Sequence, residues 1–205
     1  DLTVLAVAKD GDWQNYCENS ARIDYQEDFS RGLENFNREN APYALLANLE
    51  IALNAGEADN FLSSIDSCLQ SALDGFTPDQ EADSHLYWEP DGSHGWFKEF
   101  ELLDHEFRII NKGDDWVVLE ALANITVEAE GDFSLSMYDS VDRDHVYMGG
   151  VTATAKEEFE SEILITVLGN LDGPIDELVI EDVEVVSPIK TIHFGTIEPD
   201  YGEHE

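Results

Sequence analysis

Between residues 119 and 130 the chain alternates between two kinds of side chain without interruption. Leu119, Ala121, Ala123, Ile125, Val127 and Ala129 stand at the odd positions, and Glu120, Leu122, Asn124, Thr126, Glu128 and Glu130 stand between them. A period of two belongs to a β-strand, whose successive side chains point to opposite faces, so the segment predicts a long strand with one buried face. Phe133, Leu135 and Met137 continue the pattern across Gly131-Asp132, which reads as a turn or bulge. Further strand candidates lie at 102–110, 145–155, 159–168, 177–186 and 189–197, punctuated by Gly149-Gly150, Asp172-Gly173 and Ser187-Pro188. Short strands at this spacing predict an antiparallel β domain over 98–201, either a sandwich or a curled sheet.

The preceding half has a different period. Leu45, Leu46, Leu49, Ala52 and Leu53 share one helical face before Gly56. Phe61, Leu62, Ile65, Cys68, Leu69, Ala72 and Leu73 share another before Gly75. The pair predicts a helical hairpin over 41–75. Residues 76–97 carry Pro78, Pro90, Gly92 and Gly95 and are expected to form a loop, whose aromatics Tyr87, Trp88, Trp96 and Phe97 pack down on a core more often than they form a binding rim. In the first 40 residues, Leu2 to Ala8 is an apolar run of the kind buried on both faces of a parallel sheet. It is followed by a short helix from Trp13 that Asp12 is placed to cap, a second strand over 21–26, and a helix carrying Phe29, Leu33 and Phe36. Strand, helix, strand, helix is an α/β pattern. The fold class expected is therefore α+β: the tail of an α/β sheet over 1–40, the hairpin, the loop, and the antiparallel domain.

The formal net charge is −36. Residues 1–40 hold 9 acids against 4 Lys and Arg, residues 41–97 hold 10 against none, and residues 98–205 hold 27 against 6. A polyanion such as RNA is repelled by most of this chain and least by its first 40 residues, so any nucleic-acid contact is expected there. The acid excess has two readings, solubility or a high-salt cytoplasm on one side and a basic protein partner on the other. Only Cys17 and Cys68 are present, and Cys68 falls on the apolar stripe of the second hairpin helix, which fits reduced thiols in a cytoplasmic compartment; a disulfide between the two is the alternative. No run approaches the roughly 18 apolar residues of a membrane helix, so no membrane partner is expected.

The segment 1–40 resembles the closing part of a PIN-type nuclease domain. Members of that family end with an apolar strand, a short loop of the form Thr/Ser-x-Asp-x-Asp-Phe, a helix, a short strand, and a last helix that often starts near an acidic-acidic-Phe pattern. The counterparts here are Leu2 to Ala8, then Ala8-Lys9-Asp10-Gly11-Asp12-Trp13, then residues 21–26, then Glu27-Asp28-Phe29 leading into Leu33 and Phe36. Ala8 replaces the family's loop hydroxyl, and the acidic positions are kept. The match covers about a fifth of the chain.

What the resemblance implies is metal-dependent cleavage of RNA, of the kind found in toxins and defence effectors. Hard divalent ions, Mg²⁺ or Mn²⁺, take oxygen ligands and retain water that can attack phosphorus. By carry-over, Asp12 is the metal-site carboxylate and Asp10 supports it, and both are the expected catalytic residues. The alternative for Asp10-Gly11-Asp12 is a turn followed by a helix cap. The family's other carboxylates lie on segments upstream of this one, and the chain opens at Asp1 directly into the apolar run. The expectation is a C-terminal portion whose nuclease half lies elsewhere, with a β domain for partner binding or regulation. A non-catalytic acidic module that docks on a basic surface or mimics nucleic acid is the alternative from another class, and a housekeeping domain adapted to high salt is a third. Asp139, Asp142 and Asp144 lack the spacing of a calcium loop, and the six histidines show no metal-ligand spacing.

Overall fold

In a computed structural model of the chain, residues 4–9, 11–20, 22–26, 28–113 and 115–199 are described. The alternating segment is the centre of the fold. It forms β6 (Trp116–Asp139, 24 residues), whose odd positions from Val117 to Leu135 are buried and whose even positions face outward. Beside it, antiparallel, runs β7 (Asp144–Leu168) in a register that holds from Trp116↔Leu168 to Asp139↔Asp144. Strands this long, with a contour of roughly 80 Å, cannot stay flat, because each strand carries a right-handed twist. On the other edge of β6, β4 (Tyr87–Leu102) and β5 (Arg108–Lys112) pair with it one after the other. Beyond β7 lies β8 (Val179–Val185), which completes a five-stranded antiparallel sheet in the order β4-β6-β7-β8 with β5 beside β6. The protein is α+β, and of the two architectures expected for its C-terminal half the sheet is the open one.

The inner face of this sheet is covered by α3 (Asp59–Leu73) and by a small parallel pair, β3 (Asp79–Asp83) with β9 (Thr191–Thr196). Helix α3 crosses from β8 to β4 and buries Phe61, Ile65, Leu69 and Leu73, the stripe legible in the sequence. Ala121, Ala123 and Ala129 of β6 belong to the same core, where small side chains leave room for the larger ones of the helix. From β9, Phe194 meets Phe133 edge to face at 5.3 Å, and Trp88 meets the same ring at 5.5 Å. The Asp74 carboxylate, just past α3, accepts the Phe97 amide at 3.0 Å and so ties the helix end to β4.

Several elements depart from expectation. Residues 76–97 are mostly strand: β3 and the first half of β4 occupy what reads as a loop. Pro90 is tolerated because β4 is an edge strand at that point, with a bulge between Pro90 and Gly92. Gly95 allows close approach, for its amide donates to the Phe76 carbonyl, its carbonyl accepts the Gly75 amide, and the Phe76 ring lies directly over it. Gly131-Asp132 is neither a turn nor a bulge of β6; a Cβ at Gly131 would strike Phe194 and Gln80, so the glycine makes space inside a continuous strand. Strand candidates 145–155 and 159–168 are one strand, and Gly149, at φ 126°, marks a bulge within it. The buried stripe stops at Leu135, and Met137 is half exposed.

The helical region also merges. Helix α2 (Phe29–Ala55) is one 27-residue helix containing Pro42, so the expected boundary at 40–41 falls inside it. It ends as Gly56 suggests: the Gly56 amide donates to the Leu53 carbonyl and the Glu57 amide to the Ala52 carbonyl, with Gly56 at φ 72°. That pair of bonds is a Schellman cap. No helix among the described residues is long and apolar enough to cross a membrane.

Candidate functional site

The first described residues form β1 (Val4–Val7), α1 (Gly11–Glu18) and β2 (Ile23–Gln26). The two strands pair in parallel, Val4↔Ile23 to Val7↔Gln26, which is the arrangement the α/β pattern predicts. Parallel strands require a crossover, and α1 supplies it. The ladder is prolonged at both ends by the Val4 amide on the Arg22 carbonyl at 2.9 Å and the Ala8 amide on the Gln26 carbonyl at 3.3 Å. Tyr25 then donates its hydroxyl to the Ala8 carbonyl at 2.6 Å, fixing the strand end from which the acidic loop departs. Cys17 is the buried anchor of α1.

Asp12 lies in the first turn of α1 and is exposed. The helix begins at Gly11, so Asp12 is inside it and not the residue before it, as the expected cap was. Here its charge sits against the positive end of the helix dipole. Carboxylates at the carboxyl end of a parallel strand point to the rim where α/β sheets place ligands. Asp10 lies outside the described residues. Trp13 and Tyr16, one helical turn apart, pack edge to face at 5.9 Å and 81°, and with Asp12 they line an open groove of about 370 Å³. Both rings are more than half exposed. Tyr25 and this aromatic pair were not picked out from the sequence; for the pair, the i, i+3 spacing directly after the acidic loop was the available signal.

A PIN-like centre needs several carboxylates converging on one ion. Among the described residues, no group of three or more His, Cys, Asp or Glu side chains is placed to hold a metal. The described residues alone do not fit a divalent centre.

The remaining candidates have structural partners. Asp139 and Asp144 shape the β6–β7 turn, accepting the Val141 amide at 2.7 Å and the His145 amide at 2.8 Å. His145 lies between Tyr87 and Tyr138, with ring centroids at 4.9 and 5.6 Å. His193 faces outward on β9 and stands 3.5 Å from Asp83. Cys17 and Cys68 are both free, and burial, with Asp182 adding to it, pushes the Cys68 thiol above its ordinary pKa. In comparisons with known proteins the chain matches no family model, no curated protein and no solved structure.

Proposed function

We propose that this chain is the distal part of a PIN-like, metal-dependent ribonuclease of the toxin or defence type, whose β domain binds or is regulated by a partner. The observation that carries the reading is the β1–α1–β2 unit, a parallel pair that presents Asp12 at the carboxyl end of β1. Parallel sheets are ordinarily covered on both faces. In this one Val4 is 60% exposed, and Phe29, Leu33 and Phe36 form an exposed row on the adjoining helix. A unit of that kind has room for further strands, and those would bring the missing carboxylates beside Asp12, with Asp10 in support. Asp12 and Asp10, joined by such carboxylates, would hold Mg²⁺ or Mn²⁺, and the ion would supply an activated water for attack on phosphorus. RNA approaches from this end because it is the least negative part of the chain, and the two free thiols suit a cytoplasmic protein.

The test is cleavage of single-stranded RNA with Mn²⁺ by the full-length product of the reading frame, compared with its Asp12→Asn variant. Chelator-sensitive cleavage that falls about a hundredfold in the variant supports the reading; equal cleavage by both forms refutes it.

A further inference from the structure

Helix α1 leaves its two largest side chains in water. Cys17, 2% exposed, anchors the helix, which packs on β2. Trp13 stands one helical turn before Cys17 and Tyr16 immediately before it, so both rings flank the anchored side. Trp13 is nevertheless 52% exposed and Tyr16 65%. The far side of the helix is polar and closed on itself: the Gln14 side-chain amide donates to the Glu18 carboxylate at 3.2 Å, and that of Asn19 to the Asn15 carbonyl at 2.8 Å. An aromatic ring enclosed in a core buries about 150–250 Å², and these two withhold much of that area from the fold.

Their geometry makes a corner. The ring centroids are 5.9 Å apart and the planes cross at 81°. A flat ring laid parallel on the open face of one therefore turns its edge to the other, and stacked and edge-to-face contacts are the two arrangements aromatic quadrupoles favour. With Asp12 the pair lines a groove of about 370 Å³. That is near the lower end of the roughly 300–1,000 Å³ of small-molecule sites, room for one flat heterocycle and not for a folded partner. The groove also borders the carboxyl end of β1, where the proposed function places the phosphorus under attack, and it lies in the least negative segment of the chain.

We infer that Trp13 and Tyr16 form a stacking subsite for one unpaired base of single-stranded RNA, next to the phosphate that Asp12 faces. Every base has a π-face, so the subsite tolerates sequence, and it disfavours duplexes, whose bases are already stacked and paired. The inference rests on the nuclease reading above for its choice of ligand.

Binding to the full-length product of the reading frame is read by fluorescence anisotropy in chelator. One labelled probe is a uridine nonamer, and the other is a nonamer of abasic spacers with the same phosphates. The uridine probe is expected to bind about tenfold more tightly than the abasic one. Trp13→Leu keeps apolar bulk but removes the π-face; it is expected to erase that preference, leaving abasic binding and the melting temperature unchanged. Trp13→Phe is expected to stay within about threefold of the parent, Tyr16→Leu to lose about threefold, and Tyr147→Leu, an equally exposed ring on β7, to change less than about twofold. In the Mn²⁺ cleavage assay Trp13→Leu is expected to raise KM with little change in kcat. If Trp13→Leu matches the parent while RNA is still cut, the subsite is overturned and the nuclease reading stands. If no RNA is cut but the base preference depends on Trp13, the nuclease reading fails and the subsite stands. Equal binding of the two probes by the parent, equal weakening of both by Trp13→Leu, or a melting temperature lowered by several degrees in that variant makes the ring a structural contact and overturns the inference.

Discussion

Gly92 and Gly95 lie three residues apart on the same strand, and an alanine at each should have opposite consequences. A Cβ built on Gly95 would stand 2.1, 2.5 and 2.7 Å from three carbons of the Phe76 ring, whereas one on Gly92 meets nothing within 4 Å. Carbon atoms in contact settle at roughly 3.5–4.0 Å, so the ring must retreat by about 1.5 Å. It cannot do so freely, because the Phe76 backbone is bound to Gly95 by the amide of Gly95 on the Phe76 carbonyl at 2.8 Å. Overpacking of this kind costs about 1–3 kcal/mol, which in a chain of this length lowers the melting temperature by roughly 2–4 °C per kcal/mol. Gly92→Ala removes backbone freedom from the unfolded chain without a clash and is expected to be neutral or to stabilise by up to about 1 kcal/mol. Urea unfolding followed by tryptophan fluorescence measures both, and Phe76→Leu combined with Gly95→Ala should recover part of the loss as a non-additive coupling. Equal midpoints for Gly92→Ala and Gly95→Ala would refute the close approach that makes residues 76–97 a strand.

Two further outcomes follow from charge. With a net charge of −36, self-repulsion opposes the compact state, so raising KCl toward 1 M, where the screening length shrinks to about 3 Å, should raise the melting temperature, and a flat response would contradict this. Burial, and then Asp182, holds the Cys68 thiol protonated in the folded chain, so its contribution to stability is present below the ordinary thiol pKa and is lost as pH rises beyond it. Alkylation of Cys68 at alkaline pH, followed by mass spectrometry, should therefore be faster in Asp182→Asn than in the parent chain, and an unchanged rate would exclude the carboxylate as a cause.

The sequence revealed what local periodicity controls. The Leu119–Leu135 alternation announced β6 because one face of that strand is buried along nearly its whole length, and Gly56 announced the end of α2 because only a left-handed residue completes that cap. What it concealed depended on distant partners. Gly95 and Gly131 read as punctuation, yet their lack of a side chain serves Phe76 and Phe194, residues 19 and 63 positions away. Pro42 sits within a continuous helix, although prolines usually bound one. That Glu99 and Glu158 flank Thr126, and Glu101 and Glu160 flank Asn124, was invisible because it arises only when β4, β6 and β7 lie side by side. At the N-terminus the strand and the helix were legible, since both lie within one short crossover, although the helix begins at Gly11 and takes in Asp12, which was expected to cap it from outside. The residues that would complete a metal centre are not local to it, and no pattern in this stretch can name them.

The most direct test of the account follows the four tryptophan indole signals by NMR as Mn²⁺ is titrated into the isotopically labelled full-length product. If Asp12 belongs to a metal centre, the Trp13 indole broadens first, Mg²⁺ restores it, and Asp12→Asn abolishes the effect. If the Trp96 indole, which shares the acidic face with Glu128, broadens first or all four fade together, the ion is held by bulk charge and the claim for Asp12 is contradicted.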